Sequence, residues 1–291
     1  MIGATIMFKN KIIIAALAAV MGLSAVGSAQ AAEAGKHPER VNWSFAGIFG
    51  TYDQNQLQRG FQVFREVCAS CHGAHLLAFR NLGEPGGPRF SEAQVKALAA
   101  EYEVADATAE GGRRPAVAAD RWPSPFDSEQ DARDAMGGSY PPDFSVLAKA
   151  RGVTDPFPTW ALNYFTGYQE GGVDYIHALL TGYHEEVPED APEGFELADG
   201  KYYNDYFPGH AIGMAPPLAD GSVTYTPGED GVAVPETLEQ YSTDVAAFMM
   251  WVAEPHLVSR KQTGFVVLLF LVGFAGLMYA TKRKLWAGIE H

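Results

Sequence analysis

"CASCHG", residues 68–73, contains both cysteines of this 291-residue chain and has His72 directly after the second. A structural disulfide explains the pair poorly, because a bridge gains most by closing a long loop and this loop would be very short. A structural zinc site needs four ligands, and no further cysteine can supply a second pair. Two interpretations stay open: a thioredoxin-like redox pair, or covalent attachment of a c-type haem through CxxCH.

The residues before the motif favour haem. Residues 55–72 show apolar side chains at helical spacing, with Gly60 interrupting the stripe, and so predict a core helix that carries CxxCH at its C-terminal end. A thioredoxin-like pair needs a preceding strand and a following helix instead. Since residues three apart share a helical face, Cys68 and Cys71 can both reach one porphyrin while His72 turns towards its iron. The apolar stripe consists of Leu57, Phe61, Phe64 and Val67.

The sixth iron ligand decides whether such a site transfers electrons or binds a diatomic gas. Met214 is our main candidate, because Gly213 permits close backbone approach and the following two prolines stiffen the loop. Met136 precedes two glycines, and His210 is the strongest competing histidine. Met249 and Met250 lie in an amphipathic segment, where methionine usually fills a core. A thioether ligand raises the reduction potential and suits electron transfer.

A second strong helix is predicted from Leu238 to Ala253, and Pro255 follows its end. The chain between the two strong helices is rich in Gly and Pro, and no alternating pattern indicates an extended sheet. Residues 83–127 have no clear fold prediction. Weaker helices are predicted at Ser91 to Glu103, Ser128 to Ala135, Phe144 to Arg151 and Gly172 to Gly182.

Two apolar segments flank this region. Residues 1–31 combine two early lysines, an apolar run and the sequence AQA, which is typical of a cleaved secretory signal peptide; an uncleaved anchor helix is the alternative. Thr263 to Ala280 carries no charge and would cover about 27 Å as a helix, so we predict a transmembrane anchor at residues 260–282. Residues 32–259 would then form an exported domain, and residues 283–291 a cytoplasmic tail.

The exported domain is acidic. Residues 32–259 contain 34 Asp and Glu against 14 Lys and Arg, a net charge of −20. This charge excludes nucleic acid as a partner and favours a basic protein. An acidic cluster at Glu185, Glu186, Glu189, Asp190, Glu193 and Glu196 could steer such a partner or be a solvated loop.

Several ordered segments resemble the cytochrome c1 family, the haem subunit of the cytochrome bc1 complex. They are WSFAGIFGTYD (43–53), RGFQVFREVCASCH (59–72), ARDAMGGSYPPDFS (132–145), IHALLTGY (176–183), YYNDYFPGHAIGMAPPL (202–218) and DVAAFMMWVAEP (244–255). The resemblance implies a mainly α fold, with a class I cytochrome c-like haem domain, long loop insertions and one C-terminal transmembrane helix.

The same resemblance implies one covalently bound haem c. Cys68 and Cys71 would attach it, and His72 and Met214 would ligate the iron. Arg133 looks like the arginine that pairs with a haem propionate. Tyr140, Pro141 and Pro142 would line the haem crevice.

The resemblance also implies partners and a location. Electrons would pass from the Rieske iron-sulfur subunit to a soluble or tethered basic cytochrome c, beside cytochrome b in a dimeric complex. The haem domain would face the periplasm from a single-pass anchor in a bacterial inner membrane. This chain would carry electrons only, as one subunit of a quinol:cytochrome c oxidoreductase. A stand-alone anchored cytochrome and a haem-based gas sensor are the alternatives.

Overall fold

A computed structural model describes residues 35–226 and 233–288; the predicted signal peptide lies outside these residues. Within them the chain is mainly helical, as expected, and its strands are only two or three residues long. The helices are α1 (Gln54–Glu66), α2 (Glu92–Ala100), α3 (Glu129–Ala135), α4 (Leu147–Ala150), α5 (Thr159–Thr166), α6 (Gly171–Thr181), α7 (Leu238–Ala253) and α8 (Leu257–Trp286).

The strands form two small antiparallel sheets. One is a hairpin of β1 (Glu103–Ala105) and β2 (Arg113–Pro115), in which Val104 pairs with Arg114. The other has the order β3 (Tyr183–His184), β4 (Tyr202–Asn204) and β5 (Ala211–Ile212). The two outer strands of this second sheet lead into the acidic loop and the Met214 loop respectively.

Helices α1 and α7 pack against each other and form the centre of the core. Phe61 and Phe64 of α1 contact Phe248 of α7, with ring centroids 5.7 and 5.5 Å apart. Gly60 is buried at the point of closest approach, where an added Cβ would lie 2.1 Å from the carbonyl oxygen of Asp244. Gly60 interrupts the apolar stripe in the sequence, but in the structure it has a packing role, because a residue without a side chain allows the two helices to touch.

Residues 83–127, for which only the weaker helix at Ser91 to Glu103 was predicted, contain α2 and the β1–β2 hairpin. Ser91 caps α2, because its Oγ accepts a hydrogen bond from the backbone amide of Gln94. In turn, Oε1 of Gln94 accepts a hydrogen bond from the backbone amide of Ser91. Trp122 is buried against Phe61 and Phe64 of α1. The segment therefore packs on the core beside the site-bearing helix.

Several weaker predictions are confirmed with shifted ends. α2, α3 and α6 fall within or close to three of the predicted helices. The prediction for residues 144–151 is only partly right, because a 3-10 turn at Phe144–Val146 precedes the four-residue helix α4. Helix α5 was not predicted.

Helix α8 is 30 residues long and carries the predicted span. At about 1.5 Å per residue it extends about 45 Å, more than the roughly 30 Å hydrocarbon core of a bilayer. Its apolar segment is not buried within the protein, and the helix is long and apolar enough to cross a membrane. Its first residue, Leu257, is buried in the core, and Val258 packs against the core.

Candidate functional site

The CxxCH motif lies on a tight turn directly after α1. Contrary to the prediction that the helix would reach the motif, α1 ends at Glu66 and a 3-10 turn spans Cys68–Ser70. Ser70 Oγ donates to the Val67 carbonyl at 2.7 Å, which competes with helix continuation. Residues three apart are eclipsed in a 3-10 turn, so the two cysteines still present their thiols to one side. Cys68 and Cys71 can therefore still reach one shared ligand from a 3-10 turn.

The backbone holds the motif compact. The amides of Cys71 and His72 both donate to the Cys68 carbonyl, at 3.1 and 2.9 Å. Both cysteines are half-buried and are not joined in a disulfide. Burial raises the pKa of the Cys68 thiol to about 12, so this thiol is protonated at neutral pH. A low-pKa nucleophile of the thioredoxin type does not fit this environment.

His72 has a fixed tautomer. Its ring is buried, and Nδ1 lies 2.8 Å from the backbone carbonyl oxygen of Pro142. Because a carbonyl can only accept, Nδ1 carries the proton and the lone pair lies on Nε2. Burial lowers the pKa of His72, while the hydrogen bond to Pro142 and the nearby Asp143 act in the opposite direction. The result is a neutral, oriented imidazole, the form that ligates metals.

The segment that follows Pro142 also packs against the motif. The ring of Phe144 lies 4.4 Å from that of His72, and the Phe144 amide donates to the Gly73 carbonyl at 2.8 Å. Asp143 accepts a hydrogen bond from the His75 amide at 2.9 Å. Sequence reasoning missed Phe144 and Asp143, because no spacing rule links residues this far apart in the chain. The PPDF sequence marks only a turn.

Met214 follows β5 and is half-buried against the core. Its carbonyl oxygen accepts a hydrogen bond from the Tyr183 hydroxyl at 3.1 Å. Its neighbour Gly213 lies against Ser139, where an added Cβ would be 2.6 Å from Oγ. The loop of residues 136–144 thus touches both the Met214 segment and, through Pro142, the His72 imidazole. This loop therefore lies beside His72 and beside the residue that precedes Met214.

The competing ligands have other contacts. Met249 and Met250 are buried in the core on α7, as predicted for core methionines, and Met136 is the C-cap of α3. His210 stacks on Tyr203 with ring planes 8° apart, and its Nδ1 contacts the Asn204 carbonyl at 3.1 Å. These contacts give His210 a structural role and leave Met214 as the better candidate.

Arg133 and Tyr140 lie together at the surface of the same loop. The Arg133 guanidinium pairs with Glu129 one turn earlier, donates to the Gly138 carbonyl at 3.0 Å and sits 5.7 Å from the Tyr140 ring centroid. Tyr140 is 49% exposed. No buried carboxylate partner of Arg133 occurs among the described residues, so its role towards a propionate stays a prediction.

These donors fit a haem. Two thiols close together can attach a porphyrin covalently, and a neutral imidazole and a thioether are the two iron ligands expected of a six-coordinate c-type haem. The fold and site together define a class: a mainly α c-type cytochrome with one C-terminal apolar helix.

Comparisons with known proteins agree with this class. The sequence model described as "Cytochrome C1 family" matches residues 43–289. A cytochrome c1 of Blastochloris viridis is 49% identical over 281 residues, which cover 95% of this chain and 96% of that protein. A mitochondrial "Cytochrome b-c1 complex catalytic subunit" of Candida albicans is 40% identical over 264 residues, 90% of this chain and 81% of that protein.

A third relative is larger. "Cytochrome b/c1" of Bradyrhizobium diazoefficiens is 50% identical over 273 residues, which are 93% of this chain but only 38% of that protein. This chain therefore spans well under half the length of that relative and nearly all of the Blastochloris one. The chain belongs to the cytochrome c1 family.

Proposed function

We propose that this chain is the haem c subunit of a cytochrome bc1 complex, a quinol:cytochrome c oxidoreductase. It would accept one electron at a time from a Rieske iron-sulfur subunit and pass it to a soluble or tethered cytochrome c. The observation that carries the proposal is the fixed tautomer of His72, since it leaves Nε2 able to bind a metal directly after two cysteines that are not joined in a disulfide. Family membership gives the complex to which such a site belongs.

Each site residue has a proposed task. When bound, haem supplies a one-electron ferric/ferrous couple. Cys68 and Cys71 would form the two thioether bonds, and His72 and Met214 would be the axial ligands. The Pro142 carbonyl keeps the proton on Nδ1 of His72 and so increases the basicity of the ligating atom, Nε2. The Tyr183 hydroxyl fixes the backbone of Met214. If His72 and Met214 both bound the iron, these residues would exclude oxygen and water from it.

The peripheral residues have supporting roles. Arg133 and Tyr140 would close the outer edge of the crevice, where the guanidinium can neutralise a propionate. Pro141 and Pro142 hold the intervening backbone extended. These assignments rest on position in the loop and on the family pattern.

The acidic loop supports a basic electron acceptor. All six of its predicted carboxylates are exposed, and the loop begins directly after β3. Tyr183 of that strand touches Met214, so the negative charge lies close to the proposed electron exit. Long-range attraction would raise the rate of encounter with a lysine-rich partner and would weaken with added salt.

We further propose the location. A signal peptide at residues 1–31 would export the domain of residues 32–259 to the periplasm of a bacterium. Helix α8 would span the inner membrane once over residues 260–282 and leave residues 283–291 in the cytoplasm. Cytochrome b and the Rieske subunit would be its neighbours in a dimeric complex, and the name of the Bradyrhizobium relative joins the b and c1 types in one protein.

Gentle purification tests the complex. The tagged full chain, extracted in mild detergent, should carry one c-type haem and co-purify with b-type haem and an iron-sulfur protein, with quinol:cytochrome c reductase activity. Substitution of Cys71 by Ser should remove the normal c-type spectrum without removing α8. A pure c-type spectrum with no b haem would instead indicate a stand-alone cytochrome, and a ferrous form that binds carbon monoxide readily would indicate a gas sensor.

A further inference from the structure

Helix α5, which the sequence pattern did not predict, has its polar side towards the protein. Asn163 Nδ2 donates to Asp155 at 2.5 Å, and Arg40 donates to Asn163 Oδ1 at 3.0 Å. Arg40 also pairs with Asp155, which is buried. None of the residues of α5 itself is buried. This is the reverse of an ordinary surface helix, which turns apolar residues inwards.

The outer side of α5 is apolar and aromatic. Tyr164 and Phe165 are each 82% exposed, Phe157 just before the helix is 78% exposed, and Trp160 is about half exposed. Phe157, Trp160 and Tyr164 form a row with ring centroids 6.5 and 6.2 Å apart. Contiguous exposed apolar surface of this kind marks an interaction site. We refer to residues 157–165 as the aromatic face.

The aromatic face lies beside a second exposed apolar group. Gly167, which ends α5, packs against Ile48, where an added Cβ would be 3.5 Å from Cγ1. Ile48 and Phe49 are 53% and 76% exposed. Phe49 in turn contacts Phe265 of α8 edge-on, with centroids 5.6 Å apart. The exposed apolar surface is therefore continuous with the first apolar residues of the predicted span.

Polar contacts fix this arrangement to the start of α8. Lys261 Nζ donates to the carbonyl oxygens of Phe45 and Gly47, at 2.6 and 2.5 Å. Arg260 donates to Gln169 at 3.2 Å, three residues beyond Thr166, the last residue of α5. Both cations immediately precede the uncharged segment that would enter the bilayer. The loop at 48–49 and the end of α5 are thus held at the level where the chain reaches the membrane surface.

We propose that the aromatic face, together with Ile48 and Phe49, inserts into the interface of the lipid bilayer next to the anchor. Tyr and Trp combine an apolar ring with a polar tip and suit the headgroup region, while Phe suits the acyl boundary. The occupant is lipid, because the surface is continuous with the first apolar residues of a helix that would itself enter the bilayer. The domain would then have two attachments to the membrane, which fix its tilt and hence the direction in which the site faces. The proposal rests on the proposed function only in that α8 spans the membrane.

Spin-label accessibility tests this in the full, haem-loaded chain. Phe165→Cys would be labelled with a nitroxide, the protein reconstituted in vesicles of phosphatidylcholine and phosphatidylglycerol, and the haem reduced. Oxygen concentrates in the bilayer, whereas a nickel chelate stays in water. We expect collisions of the label at 165 with oxygen to exceed those with nickel severalfold. Val187→Cys in the acidic loop is the water reference, and Leu271→Cys in α8 is the mid-bilayer reference.

The outcomes separate the proposals. If the label at 165 behaves like the one at 187, the aromatic face is in water and insertion is overturned. If the label at 165 is shielded from both reagents, in the isolated chain or in the intact complex, protein covers the aromatic face and insertion is also overturned. The chain with no introduced cysteine should take up no label, since both native thiols would be in thioether bonds. Labelling of that chain would contradict the haem proposal instead, and water-like behaviour at 271 would contradict the span.

Discussion

The pair of helices α1 and α7 and the two loops that carry the site are stabilised in different ways. The helix pair buries aromatic rings and a carboxylate, Asp244, that accepts hydrogen bonds from Arg59 and Tyr225. The site loops, residues 136–144 and 211–217, are largely half-buried and depend on a few hydrogen bonds. From this difference we expect changes in the helix pair to lower the stability of the whole domain, and changes in the loops to act mainly on the site.

The largest expected effect is on the helix pair. Asp244→Ala leaves the Arg59 guanidinium and the Tyr225 hydroxyl without their buried acceptor, and we expect it to lower the free energy of unfolding by about 3 kcal/mol. Denaturant unfolding of the full chain, followed by far-UV circular dichroism, measures this. Glu101→Ala removes the partner of Arg65 in an exposed pair between α1 and the end of α2, and it should cost less than about 1 kcal/mol. Equal losses of stability in the two variants would contradict the greater importance given to the buried carboxylate of the helix pair.

A smaller loss is expected where the helices touch. Gly60→Ala places a Cβ against the Asp244 carbonyl, a backbone atom that cannot move independently, and overpacking of this kind costs about 1–3 kcal/mol. Higher helix propensity offsets this by up to about 1 kcal/mol. Gly264→Ala, where an added Cβ meets nothing within 4 Å, is the control. Thermal unfolding should separate the two, and an unchanged midpoint for Gly60→Ala would show that the approach is looser than described.

A site-loop variant should act locally. Tyr183→Phe removes the hydrogen bond to the Met214 carbonyl, and burial raises the pKa of Tyr183, which keeps its hydroxyl protonated as a donor. We expect a loss of about 1 kcal/mol in the transition followed by haem absorbance, with little change in the helical transition. Tyr202→Phe, at an exposed position in β4, is the matched control. Equal shifts of both transitions would mean that loops and helices unfold together.

The smallest effect concerns the β1–β2 hairpin. Arg114 bridges Asp106 and Asp120, and its hydrogen bond lowers the pKa of Asp120 to about 2 from an ordinary value of 3.8. Because the pKa of Asp120 is lower in the folded state than in the unfolded state, its ionised form stabilises the folded protein above the unfolded-state pKa. This stabilisation is lost as pH falls from about 4 to about 2. Asp120→Asn should therefore cost a little at pH 7 and nothing near pH 2, in unfolding curves measured across this range. A cost independent of pH would exclude the ionic contribution.

Sequence patterns predicted the helices whose apolar residues recur at a regular spacing or form an uninterrupted run. The apolar period predicted α7 and most of α1, and the uncharged run predicted the apolar part of α8. The positions of Phe144 against His72 and of Ser139 against Gly213 were not predictable, because they depend on how separate loops fold over the motif. The pairing of Pro142 with His72 was foreseen only as crevice lining, since a backbone carbonyl leaves no mark in the sequence.

Helix α5 shows a different limit of pattern reading. Its apolar residues are present in the sequence, but an apolar stripe is ordinarily assigned to the core, and here Asn163 faces the protein instead. The β1–β2 hairpin was not predicted either. Arg114 and two aspartates stabilise it, and these residues come together only once the chain has folded.

The central claim is that His72 and Met214 ligate the iron of one covalently attached haem. The most direct test is redox titration of the full chain with Met214→Leu beside Met136→Leu. We predict that Met214→Leu lowers the reduction potential by on the order of hundreds of millivolts, within the roughly 0.8 V over which axial ligands act, and opens the ferrous iron to carbon monoxide, while Met136→Leu leaves both unchanged. An unchanged spectrum and potential in Met214→Leu would contradict the account.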